Sequence, residues 1–124
     1  MSFAALLREI VVGCRGGIGA ALMGSDGIAI EQVVAESAPE GPLGEDIGTA
    51  GAEFGRILDD IRKAADAVAG GAFLETTILL TRFTLIFRAV DEDTFLVVVL
   101  HPDGNLGKAR YLIRKQLLAL RQEI

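Results

Sequence analysis

The 124-residue sequence has no tryptophan, one tyrosine, one cysteine, one histidine and only three prolines. Cys14, being alone, excludes an intramolecular disulfide, and with His101 the only histidine there is no Cys/His cluster of the spacing a zinc site needs. An excess of cations is also missing: Lys and Arg total 12 against 17 Asp and Glu, for a formal net charge of −5 and a pI of about 4.8. Affinity for a phosphate backbone comes from clustered Lys and Arg that release counterions, so nucleic acid is not an expected partner. No uncharged apolar run approaches the roughly 18 residues of a membrane helix, so membrane insertion is not expected. No basic residue precedes Arg8, so an ordinary export signal is not expected either, and a reducing cytoplasm is the expected compartment.

What the chain does have is apolar bulk. Hydrophobic residues make up 51%, charged residues 23%, and mean hydropathy is +0.44, enough for one core, and residues 1–124 read as a single domain. The charge is unevenly spread. Residues 26–66 hold ten acids against Arg56, Arg62 and Lys63, whereas residues 106–124 hold five bases against Glu123. Solvated faces explain such a split; so does electrostatic guidance of a protein partner.

Phe3, Leu6, Leu7, Ile10 and Cys14 recur at helical spacing behind Ser2, which predicts a first helix over 2–15 with Ser2 as its N-cap. Gly16 and Gly17 end it. Two strands follow, joined at Ser25, Asp26 and Gly27, because Asp-Gly between apolar runs is a hairpin signal. Residues 36–44, with two prolines and two glycines, read as a loop. A second helix is expected over 45–69, its stripe formed by Ile47, Ala50, Phe54, Ile57, Leu58, Ile61, Ala65 and Val68.

Gly48, Gly51 and Gly55 fall on that helix, and each costs roughly 0.8–1 kcal/mol relative to Ala in a helix interior. Close packing against another backbone would offset this. That backbone can belong to this chain's own sheet or to a second subunit.

Between Phe73 and Leu100 the sequence is dense in Thr, Ile, Leu, Phe and Val, and breaks at 81–82 and 91–93 divide it into three strands. Residues 95–100 (FLVVVL) show no alternation, so this strand is expected mid-sheet with both faces covered. Glu75, Thr76 and Thr77 mark the first of the three as an edge. Asn105 is expected to cap a final helix with a stripe of Leu106, Ala109, Leu112, Ile113, Leu117, Leu120 and Ile124. The fold class is therefore α/β in the α+β sense: a five-stranded antiparallel sheet between helix layers, in the order α-β-β-α-β-β-β-α.

Catalytic constellations are scarce. The run GCRGGIG at 13–19 follows a helix and enters a strand, the reverse of a dinucleotide fingerprint, and no phosphate-loop motif is present. His101 precedes Pro102 in a turn, far in sequence from Ser2, Ser25 and Ser37. Asp91, Glu92 and Asp93 lack the further oxygen ligands of an EF-hand loop and read as a solvated hairpin tip. Asp59 and Asp60 are neighbours on a helix and diverge by about 100°. Neither an enzyme nor a cofactor or metal is expected, and binding becomes the leading class.

Two segments together carry a family resemblance: residues 21–30 (ALMGSDGIAI) and, more specifically, residues 95–110 (FLVVVLHPDGNLGKAR). They resemble the roadblock/dynein light-chain family, a profilin-like sandwich with the same element order, and in particular its bacterial gliding-motility-type members. The resemblance implies a homodimer in which the strand near Leu74–Leu80 pairs edge to edge through Thr76, Thr77 and Ile78, while the second helices pack through Gly48, Gly51 and Gly55. It further implies a Ras-like small GTPase as partner, whose hydrolysis is promoted by ordering the GTPase's own residues, with no nucleotide site on this chain. Arg56, Asp59, Arg62 and Lys63 are the expected partner contacts, because the dimer would present two such helices together. A scaffold without effect on GTP turnover and a small-molecule sensory module are the alternatives.

Overall fold

A computed structural model describes residues 2–124. Helix α1 spans Phe3–Gly13, and the Ser2 side chain accepts from the Ala5 N–H at 3.2 Å, so the expected cap is present. Strands β1 (Gly17–Gly24) and β2 (Ala29–Val34) form the first hairpin, with Gly27 at a φ of +84° in its turn, a conformation that favours glycine. Then come α2 (Pro42–Glu45), α3 (Gly48–Ala67), β3 (Glu75–Leu79), β4 (Thr84–Ala89), β5 (Thr94–Leu100) and α4 (Leu106–Glu123). Asn105 caps α4, accepting from the Lys108 N–H at 3.0 Å.

The five strands make one antiparallel sheet in the order β2-β1-β5-β4-β3. The apolar run of β5 is central and buried at every position, as its lack of alternation requires. β3 is an edge. On one face, α1 and α4 pack over Ala20, Leu22, Ile86, Leu96 and Val98; on the other, Ala50, Leu58 and half-buried Phe54 of α3 cover Met23, Leu85, Phe87 and Val97. The strict alternation of β-strand side chains assigns neighbouring residues to opposite cores. Each layer is thus dictated by the same central strands.

Several boundaries differ from expectation, among them the end of the second helix at Ala67 rather than 69. The first helix ends at Gly13 rather than 15. The end of the expected 36–44 loop folds into the single turn α2, and the second helix does not begin at 45 but at Gly48. Asp46 explains this: it sits in extended backbone, and its carboxylate accepts from the Gly48 N–H at 2.9 Å, a local bond that competes with helix continuation. Ile57 and Val68, counted in the apolar stripe, are instead 48% and 77% exposed.

The 13–19 glycine run serves a corner. Gly16, at φ +87°, lies against the turn after β5, where a Cβ would meet the Gly104 Cα at 2.6 Å. His101 N–H donates to Gly16 O and Asn105 N–H to Arg15 O, so the corner and the turn are laced together. Cys14 is buried there, its thiol donating to Ile10 O, and burial pushes the thiol pKa up.

The β4–β5 turn is built on one side chain. The Asp91 carboxylate accepts from the Thr94 hydroxyl and from the Asp93 and Thr94 N–H groups, each at 2.8 Å. These bonds, the Thr94 hydroxyl foremost, hold its pKa below the usual carboxylate range. A pKa lowered by folding supplies stability that is present above the unfolded value and lost as pH falls through the folded one. Asp91→Ala should therefore lower the thermal midpoint at neutral pH, and the gap to the parent should narrow as pH is taken below the ordinary aspartate value of about 3.9. Melts followed by circular dichroism across pH check this; a gap independent of pH would show that the carboxylate's charge is irrelevant.

Candidate interaction surface

β3 is one of the two edge strands of the sheet, β2 being the other, and among the described residues it pairs with β4 alone. An open edge is a row of unsatisfied N–H and C=O groups, which a second strand can satisfy. Thr76, Thr77 and Ile78 are half-buried on it. Their register with β4 sets Thr77 opposite Ile86 and Ile78 opposite Leu85, so Thr77 faces the α1/α4 side and Ile78 the α3 side. Just beyond, Leu79 and Leu80 are 72% and 45% exposed.

The α3 glycines divide. Gly48 is the first helical residue, where the interior penalty does not apply, and is buried with its ideal Cβ 3.3 Å from Ala29. Gly51 lies over Met23, with its ideal Cβ 2.6–2.8 Å from the Met23 Cε, Cγ and Sδ. Both thus lie against this chain's own β1–β2 hairpin. Gly55 meets nothing within 4 Å and is the one left open.

Arg56, Asp59 and Lys63 are exposed along one stripe of α3. Arg62 is diverted from it: its Nη1 donates to the Asp59 Oδ1 at 2.9 Å, and its guanidinium lies 5.5 Å from the centre of the Phe73 ring. Of the four expected contacts, Arg62 and Asp59 are therefore engaged with each other, Asp59 remaining exposed.

A buried charge cluster was not anticipated. Glu75 and Arg88 are directly opposed across β3 and β4, and Arg110 reaches them from α4. Arg110 Nη2 lies 2.6 Å and Nε 2.9 Å from the Glu75 Oε2, while Arg88 Nη1 is 3.8 Å from Oε1. Glu75 Oε1 and Arg88 Nε are buried without a hydrogen-bond partner. The cluster fastens α4 to the sheet edge. The pairing of Glu75 with Arg88 was readable, since both lie equally far from the 81–82 turn, whereas nothing local in the sequence aims Arg110 at them.

Among the described residues no group of three or more His, Cys, Asp and Glu could hold a metal ion, and no helix is long and apolar enough to cross a membrane. A depression of about 400 Å³ lies between the α3–β3 loop and the β4–β5 turn, and Arg62 and Arg121 line it beside Asp66 and Asp91. Arg121 is committed there to Val90 O at 2.7 Å.

No family model matches the sequence, and no curated protein does. Solved structures do match. A roadblock/LC7 domain from Streptomyces avermitilis superposes with a TM-score of 0.82 over 98% of this chain and 97% of its own, at 15% identity. The gliding protein MglB from Thermus thermophilus gives 0.83 over 96% and 85%, at 21% identity. MglC from Myxococcus xanthus is 31% identical over the whole of both chains, with a TM-score of 0.70. The chain belongs to the roadblock/LC7 family. The five-stranded sheet with α1 and α4 on one side and α3 on the other is thus the roadblock sandwich, and the segments at 21–30 and 95–110 are its first hairpin and its central strand leading into α4.

Proposed function

We propose that this roadblock module works as a homodimer that binds a Ras-like small GTPase and promotes GTP hydrolysis, contributing no catalytic group of its own. The observation that supports this most is the open β3 edge, flanked by exposed Leu79 and Leu80, on a chain whose Gly55 leaves α3 open to a second helix. Pairing two β3 edges about a two-fold axis satisfies the backbone groups of both and merges two sheets into one. Two α3 helices would then lie together, presenting Arg56, Asp59 and Lys63 twice. Such a surface can order the partner's switch segments so that its own residues meet the γ-phosphate, an effect of positioning and electrostatics. No membrane insertion, nucleic acid or cofactor enters this reading, and the cytoplasm is its setting.

A second reading, an adaptor dimer that joins partners without changing turnover, is favoured by Arg62, whose engagement with Asp59 and Phe73 leaves fewer free cations on α3. Single-turnover hydrolysis by the cognate GTPase, with and without this protein, separates the two. Acceleration of at least about tenfold, or 1.4 kcal/mol of barrier, is expected. Binding without acceleration selects the adaptor, and absence of binding overturns both. Gly55→Arg should convert a sedimenting dimer to monomer while leaving the melting transition of the fold in place; a dimer that persists would remove α3 from the interface.

A further inference from the structure

The outward surface of α1 and α4 is not used by the fold or by the proposed dimer edge, and it has a definite chemistry. Tyr111 and Leu118 stand two turns apart on the crest of α4, 55% and 65% exposed, where a solvated helix face would be polar. Lys108 lies 5.2 Å from the centre of the Tyr111 ring, and Arg114 and Lys115 are exposed between the two apolar side chains. Towards α1 the surface falls into a depression of about 610 Å³, lined by Ala5, Val12, Gly13 and Leu112 together with Arg8 and Lys115. Val12 is 75% exposed there. Glu9, the acid in this lining, is held by Gln116.

We propose that this groove is a docking site for an amphipathic helix of another protein, apolar along the strip that enters the groove and acidic along its flanks. Shape and charge select that occupant. A groove between two helices accepts a rod whose anchors recur at helical spacing. The bases on both sides of it, in a chain of net charge −5, attract an acidic partner and repel the same face of a second copy. An anionic bilayer would meet the same bases, but it presents a flat surface that cannot follow the depression between α1 and α4, where Ala5 and Leu112 lie, whereas a rod can. The site lies on the opposite side of the sheet from α3, so it goes beyond the GTPase reading and does not depend on it.

The test uses a fluorescent helical peptide of about 18 residues, with Leu at helical spacing and Glu on both flanks, and a second peptide with Lys in place of each Glu. Anisotropy should show the Glu peptide binding at least about tenfold more tightly than the Lys peptide, and weakening with added salt. Val12→Ser and Lys115→Glu should each weaken it by a similar factor with an unchanged melting temperature, and Gly55→Arg should leave it intact whatever becomes of the dimer. Equal binding of the two peptides, indifference to both groove substitutions, or retention of the protein on phosphatidylserine vesicles in place of peptide binding would overturn the proposal.

Discussion

Glu75→Ala should lower the stability of the fold by about 2–3 kcal/mol, measured as a shift in urea midpoint with little change in slope. The substitution leaves two guanidinium groups without their shared anion in a region that water barely enters, Glu75 being 11% and Arg88 18% exposed. Removing one partner of a buried pair costs about 3–5 kcal/mol in general, and the 41% exposure of Arg110 moderates that here, because its freed guanidinium can reach solvent. The origin of the loss is testable by replacing the opposed pair together. Glu75→Met with Arg88→Met should recover most of the stability, since two apolar side chains of similar length remove the desolvation penalty along with the attraction. A double variant as weak as the single one would mean that packing volume, not charge, is what Glu75 supplies.

Gly51→Leu should be at least as damaging, at about 3 kcal/mol or more, and the same type of change four residues on should act in the opposite direction. At Gly51 even a Cβ would stand within 2.8 Å of the wholly buried Met23 side chain, its Cγ as well as its far end, so the core would have to rearrange. Overpacking of a dense interior costs about 1–3 kcal/mol for a few methylenes, and a branched side chain driven between α3 and β1 would lift the helix off its core. At Gly55 a Cβ meets nothing, so Gly55→Ala should stabilise the protein by up to about 1 kcal/mol through helix propensity alone. Unfolding of dilute protein, where association is minimal, reads both. Equal effects at the two positions would contradict the packing of α3 described above.

These glycines show where sequence reasoning reaches and where it stops. Three glycines at helical spacing announce a close approach, but periodicity places them only on one flank of a helix. Whether the approaching group is Met23 of the same chain or the helix of another copy is a tertiary fact. The strands were more legible, because their signals are local and mutually consistent: Gly27 after Asp26 in a tight turn, and an unbroken apolar run that can only be central. Asn105 and Ser2 read correctly as caps for the same reason. The start of α3 was less legible, since an acid such as Asp46 near a helix start suits both the first turn and the residue that interrupts it. Arg110 stood in a family-like segment, yet its approach to Glu75 joins residues 35 apart and depends on how α4 lies across the sheet. Gln116, buried within the α4 stripe, escaped periodicity because its polarity is answered by Glu9 on another helix.

The placement of β5 also governs how the chain comes together in time. Thr94–Leu100 lies between β1 and β4, so the hairpins β1–β2 and β3–β4 can each form early but share no border until the next-to-last element exists. During synthesis about three quarters of the polypeptide leaves the ribosome with two half-sheets whose inner edges are bare, and joining them closes a loop of some seventy residues between β1 and its late neighbour. Assembly should therefore be slow for a domain of this size, and the nascent intermediate, rather than the finished protein, is the species with most need of a chaperone.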